Sequence, residues 1–201
     1  MYAYDPLYAA SPQQILWADT PGRLVARLPQ YRARGAVLDA GCGDGKNALF
    51  LEAAGFDVTG FDASPLALAG LRNRFARAGR RPAGRYFVAD AGSWPPVERY
   101  DVVISYGLYH CLPERSRVEV QRRLFRAVRP GGLLVFAALT NDVPLPAEHG
   151  THGISLAKRS EVDDLFDEFQ LHESFGGTIE EEHRPTIGPH RHSVIWIIAQ
   201  R

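Results

Sequence analysis

Between residues 37 and 51 the sequence reads VLDAGCGDGKNALFL. An apolar run ends in Asp39. Gly41, Gly43 and Gly45 follow within five positions, and Lys46 and Asn47 then open a stretch with helical patterning. Glycine lets a backbone turn sharply and approach a ligand closely. The first residues of a helix offer N–H groups with no partner in the helix. Asp62 and Asp90 end two later apolar runs, "FDVTGFD" and "RYFVAD". Acids and bare backbone brought to one rim would suit a nucleoside-containing ligand that carries positive charge.

The elements needed to place these residues are legible. "AVLDA" (36–40), "FDVTGFD" (56–62), "RYFVAD" (85–90), "YDVVISY" (100–106) and "LLVFAAL" (133–139) read as buried strands. Helical stretches alternate with them: "KNALFLEAAG", "SPLALAGLRNRFARAG" with Ser64 as N-cap, and "PERSRVEVQRRLFRAVRPGG" closed by Pro130 and its glycines. Such alternation gives an α/β fold, a doubly wound and mostly parallel sheet with helices on both faces. Ligands of such sheets bind beyond the carboxyl ends of the strands, where the first glycine loop lies. After residue 140 come a short helix, "SEVDDLFDEF", and two strand segments, "LHESFGGTIEEE" and "HSVIWIIAQ". Their short joint, "HRPTIGPHR", predicts an antiparallel hairpin. The N-terminal "SPQQILWADTPGRLVARL" reads as helical and broken near Pro21.

Three ligand classes compete for the glycine loop. A P-loop needs four residues between its first glycine and Gly-Lys, then Ser or Thr; here three residues separate Gly41 from Gly45, and Asn47 follows Lys46. A dinucleotide site needs G-x-G-x-x-G, and Lys46 stands where its third glycine belongs, which weakens that reading without excluding it. Asp39, two residues before Gly41, would oppose a pyrophosphate. It suits S-adenosyl-L-methionine, which carries an ammonium and a sulfonium and no phosphate. Asp62, 21 residues after Gly41, stands where an acid accepts from ribose hydroxyls.

"VLDAGCGDG", "VTGFDAS", "VADAGSWP", "YDVVISYGLYHCLP" and "AVRPGGLLVF" together resemble the class I S-adenosylmethionine-dependent methyltransferases in order and spacing, over residues 36 to 138. The resemblance implies strand order 3-2-1-4-5-7-6, with strand 7 antiparallel. It implies that Asp39, Gly41, Cys42, Gly43, Gly45 and Asn47 hold the methionine end of S-adenosyl-L-methionine. Asp62 and Ala63 would take the ribose, Asp90 and Ala91 the adenine, and Ser105 and Tyr106 the floor near the methyl. A weaker resemblance, to the tellurite-resistance and thiopurine-type methyltransferases, rests on His183-Arg184 and on Arg191 seven residues after Arg184. It implies a soft or anionic acceptor (sulfur, selenium or tellurium) oriented by Arg184 and Arg191. "GPHRH" and the aromatic N-terminus depart from that pattern.

Two alternatives stay open. A hydroxyl or amine acceptor would need a general base, and His110 or His183 would be that base. A protein that binds the cofactor without turnover is the rival of another class. The histidines at 183, 190 and 192 crowd together without an established ligand spacing, and no metal is expected.

The chain has 201 residues, 45% hydrophobic and 23% charged. It is read as a single domain: an N-terminal helical lid over 1–30 bearing Tyr2, Tyr4, Tyr8 and Trp17, a cofactor core over 36–138, and a substrate-side helix and hairpin over 140–201. Lys plus Arg equals Asp plus Glu at 23 each, so no global field points to nucleic acid or a membrane. The expected partner is a small-molecule methyl acceptor, with the chain a monomer or homodimer. "MYAYDPLYAASPQQ" lacks the features of a signal peptide, and the free cysteines Cys42 and Cys111 fit a cytoplasmic location.

Overall fold

The computed structural model describes residues 4–93, 99–145, 153–183 and 187–201. Seven strands form one sheet: β1 (Ala36–Ala40), β2 (Asp57–Asp62), β3 (Arg85–Val88), β4 (Tyr100–Tyr106), β5 (Val128–Thr140), β6 (Gln170–His183) and β7 (Ile187–Gln200). Their order is β3-β2-β1-β4-β5-β7-β6. The first five run parallel, and β7 lies antiparallel to both β5 and β6. This is the order the resemblance implies.

The helices are α1 (Asp5–Ala10), α2 (Leu28–Tyr31), α3 (Lys46–Ala53), α4 (Pro65–Arg77), α5 (Arg117–Phe125) and α6 (Arg159–Phe166). Ser64 caps α4, its hydroxyl accepting from the Ala67 N–H. Each face of the sheet has its own apolar layer. On one, Val37, Val102, Ile104, Val135, Trp196 and Ile198 pack with Leu24, Val25, Leu28 and Leu51. On the other, Leu38, Val103, Phe136 and Ile197 pack with Val120, Leu124, Val162 and Phe166. Alternate residues of one strand supply opposite layers, which requires the period of two. None of the described helices is long and apolar enough to cross a membrane.

Two elements differ from their sequence expectation. α5 ends at Phe125, and β5 starts at Val128, so Pro130, Gly131 and Gly132 lie within the strand beside a register shift between Tyr100 and Val102. The segment from Ser11 to Gly22 contains no helix; a helical turn over Val25–Arg27 and α2 come only afterwards.

The reason for the second difference is where the backbone groups of this segment go. The N–H groups of Leu16 and Trp17 both donate to the Asp44 carboxylate, at 2.7 and 2.9 Å. The carbonyls of Trp17 and Ala18 accept from the Arg74 guanidinium, at 2.7 and 3.3 Å. The Gly22 N–H donates to the Asn47 side-chain oxygen at 2.8 Å. Partners across the fold replace the helical i−4 bonds, and the segment becomes a strap over the glycine loop.

Asp44 and Arg74 are themselves paired at 3.0 Å and almost wholly buried, at 0% and 2% side-chain exposure. Removing one partner of such a pair costs about 3–5 kcal/mol, because the other charge stays buried alone. Arg74→Met is therefore expected to lower stability by an amount in that range in urea unfolding. Limited proteolysis of the same variant should cut first within residues 11–22.

Candidate active site

Gly41, Gly43 and Gly45 have φ of +72°, +55° and +80°, a conformation that side chains rarely adopt. Their loop turns the chain from β1 into α3. The Asp62 carboxylate, half-buried at the end of β2, accepts from the Gly43 N–H at 2.9 Å and from the Ser64 N–H at 2.9 Å. Burial raises its pKa, while these two N–H groups pull it down. Ala63, next to it, is also half-buried. One acid thus joins the glycine loop to the start of α4.

Asp39 is 1% exposed, and its Oδ2 has no hydrogen-bond partner. Burial, and then the neighbouring Asp62, push its pKa up to about 7, with Lys46 opposing. A buried carboxylate oxygen without a donor is costly. A cationic ligand group would supply what this oxygen lacks, so the donor set fits S-adenosyl-L-methionine better than a pyrophosphate.

The other predicted cofactor residues are distributed along the same rim. Cys42 is buried, with its thiol pKa raised by burial and by Asp39. Asn47 is buried, and its side-chain oxygen is engaged by the strap at Gly22. Asp90 is exposed, with Oδ1 accepting from the Gly92 N–H. Ala91 is buried, and its carbonyl accepts from Arg123.

Ser105 and Tyr106 separate. The Ser105 hydroxyl is wholly buried and donates to Gln121 of α5 at 2.8 Å. It therefore faces the helix layer, whereas Tyr106 is on the opposite face by strand alternation. The Tyr106 hydroxyl accepts from the Arg23 N–H and the Trp196 Nε1–H, at 3.1 and 3.0 Å.

The strap closes the cleft from above. A Cβ built on Gly43 would lie 3.0 Å from the Tyr8 hydroxyl, and one on Gly22 would lie 2.6 Å from the Tyr106 ring. Trp17 donates to Tyr8 at 3.1 Å and meets Tyr4 edge to face. The Lys46 ammonium stands 5.5 Å from the centre of the Trp17 ring and 5.9 Å from that of Tyr106, distances at which a cation is held by aromatic faces. Burial lowers its pKa, with Glu181 and Asp44 opposing.

On the acceptor side, two of the four predicted residues, His110 and Arg191, have described side chains, and they face different surroundings. His110 is buried, and its Nδ1 accepts from the Leu139 N–H at 3.1 Å. In the neutral ring the hydrogen then sits on Nε2, so neither nitrogen has a lone pair ready for a proton. Arg191 is exposed and pairs in register with Glu180, 4.0 Å away, on the face opposite His190 and His192. Strand alternation thus turns Arg191 away from the cleft, against the sequence expectation. The His183 side chain and Arg184 lie outside the described residues. Tyr109 is wholly buried against Phe136, and its hydroxyl bonds Glu161, which also holds Arg117; it is a packing residue.

What the sequence did not single out is the anchoring role of Asp44 and Arg74 and the approach of Glu181 to the cleft. Asp44 sits inside the quoted glycine motif, which was a usable signal. Nothing marks Arg74 among the other arginines.

Residues 37–132 match the methyltransferase domain family. The 2-heptyl-1-hydroxyquinolin-4(1H)-one methyltransferase of Mycobacteroides abscessus is 29% identical over 136 residues, 67% of this chain and 60% of that protein. The chain spans about half the length of the curated relatives it matches. Among solved structures, TehB of Haemophilus influenzae superposes with a TM-score of 0.76 at 20% identity, over 90% of this chain and 62% of that one. The N-methyltransferase NodS of Bradyrhizobium japonicum, in complex with S-adenosyl-L-homocysteine, gives 0.70 at 15% identity over 100% and 99%. These two likenesses are of fold. The matched residues, 37–132, fall within the segment that the motifs marked, and the strap and hairpin lie outside it.

The raised pKa of Asp39 has a consequence for stability. An ordinary carboxylate ionises near 3.8, whereas this one ionises near 7 in the fold. Folding is therefore unpenalised below the ordinary value. The penalty grows as pH rises between the two and is complete above 7, on the order of 4 kcal/mol. Asp39→Asn should raise the melting temperature of the ligand-free protein well above pH 7 and leave it nearly unchanged near pH 4. The same variant should lose affinity for S-adenosyl-L-methionine in calorimetry.

Proposed function

We propose that this chain transfers a methyl group from S-adenosyl-L-methionine to a small nucleophile, with a soft or anionic acceptor favoured. The observation that carries the cofactor is the Asp39 oxygen, buried without a donor beside the left-handed glycine loop. When bound, the cofactor supplies a methyl carbon already activated by a sulfonium. Asp39 and the loop from Gly41 to Gly45 would hold its methionine end. Asp62, tied to Gly43 and Ser64, keeps two further lone-pair directions for ribose hydroxyls. Asp90 and Ala91, just after β3, would meet the adenine.

The remaining task of the protein is alignment and exclusion of water. The N-terminal segment serves the second, since Tyr8 and Trp17 stand over the loop at Gly43. Two features favour a soft or anionic acceptor. The half-buried ammonium of Lys46 supplies positive charge within the aromatic wall. His110, one of the two bases expected from sequence, has its Nδ1 lone pair occupied by the Leu139 N–H. A thiolate arrives deprotonated and needs no base. The reading in which a hydroxyl or amine is methylated draws on one observation, the 3.8 Å approach of His192 Nε2 to Glu181.

Labelled S-adenosyl-L-methionine with a panel of thiols, selenite, tellurite, phenols and amines tests the proposal. We expect turnover of at least one soft acceptor, with a pH profile that follows the acceptor's own ionisation. His110→Gln should change thiol and phenol rates by the same factor, because it acts through Leu139. Arg191→Ala should leave kcat/KM nearly unchanged. Tight binding of NAD with none of the methyl donor would overturn the cofactor assignment. Tight methyl-donor binding with no turnover across the panel would favour a cofactor-binding protein.

A further inference from the structure

The β6–β7 hairpin brings three metal-ligating side chains together at the cleft. Glu181 and His190 are directly opposed in register, and His192 follows His190 by two residues, so all three share one face. Their ligand atoms lie within 4.8 Å of one another. The His190 and His192 rings meet edge to face with centroids 4.7 Å apart. His192 is 1% exposed, while the other two are half-buried. The face is the one that carries Trp196 and Ile179 farther along the strands, the layer that also contains Tyr106.

A second observation concerns the tautomer. His190 Nδ1 lies 2.7 Å from the Gly188 carbonyl oxygen. A carbonyl only accepts, so Nδ1 carries the hydrogen, and Nε2 of the neutral ring holds a lone pair. A backbone carbonyl on the other ring nitrogen is the usual support of a metal-ligating histidine. We infer that Glu181, His190 and His192 form a divalent transition-metal site at the acceptor end of the cleft.

Two imidazoles and one carboxylate suit Zn²⁺ or a neighbouring ion, and three protein ligands leave a coordination position open. Bonds of about 2.0–2.2 Å to a tetrahedral ion place ligand atoms roughly 3.3–3.5 Å apart. The cluster must contract by about 1 Å, within reach of side-chain rotation. The groups facing it from other elements are Lys46 of α3, Tyr4 of the N-terminal segment and Tyr106 of β4, all of which feel the Glu181 charge. The open position could hold an acceptor through a thiolate or oxyanion. That use rests on the methyl-transfer reading; the metal site itself does not.

The test is a calorimetric titration of Zn²⁺ alone into chelator-treated protein, without S-adenosyl-L-methionine. We expect one ion per chain, proton release on binding, and a higher melting temperature with Zn²⁺. His192→Asn and Glu181→Gln, which keep size and polarity, should each weaken binding by more than about 100-fold, beyond the cost of losing an outer-shell partner. His172→Ala, on an exposed residue of β6 bonded to Gln200, should bind Zn²⁺ as the parent does. Absence of Zn²⁺ binding to the folded parent would overturn the site. So would binding that survives in folded His192→Asn and Glu181→Gln. Since affinity for S-adenosyl-L-methionine is measured separately, failure of the metal site and failure of the methyltransferase reading are distinguishable.

Discussion

The buried pair of Asp44 and Arg74 is the constraint on which the cleft depends. Asp44 belongs to the glycine loop and Arg74 to α4, so their contact already joins two elements. Between them they also hold four backbone groups of the strap. An N-terminal segment without regular structure would otherwise carry its polar backbone into a buried place with no partners. Because the pair satisfies those groups, the strap can lie across the loop and shield the interior of the cleft. The burial of Asp39 and Lys46 follows from that shielding.

Shielding in turn sets the electrostatics. Asp62 and Lys46 both shift Asp39, and Lys46 and Glu181 shift each other, with burial the leading cause for all four groups. Burial raises the three acids and lowers the lysine, so the cleft resists holding its own charges. A cationic ligand relieves the acids at the glycine end. Lys46 lies 5.5 and 5.9 Å from the centres of two aromatic rings, Trp17 and Tyr106.

The hairpin contributes a different kind of control. In β7 the alternation of side chains sends His190 and His192 to the cleft face and Arg191 to solvent beside Glu180. A slip of one residue would exchange them. Unshifted pairing of β6 with β7 from Glu173 to Glu181, joined by β5 from Ser193 onward, fixes that register.

The sequence by itself determined the alternating α/β core, the position of the glycine loop and the acids at the strand ends. Each is written in local signals: apolar runs of strand length, the Ser64 cap, glycines where φ must be positive. The strand order came with the motif resemblance, and the observed pairing has the same order. Only the tertiary structure decided the path of residues 11–22, because their backbone groups bond to Asp44, Arg74 and Asn47, which are distant in the chain. It also decided that Ser105 serves α5, that His110 supports Leu139, and that Glu181 meets His190 and His192. These depend on which face a residue presents after strands have paired, and pairing is a long-range choice that no local pattern encodes.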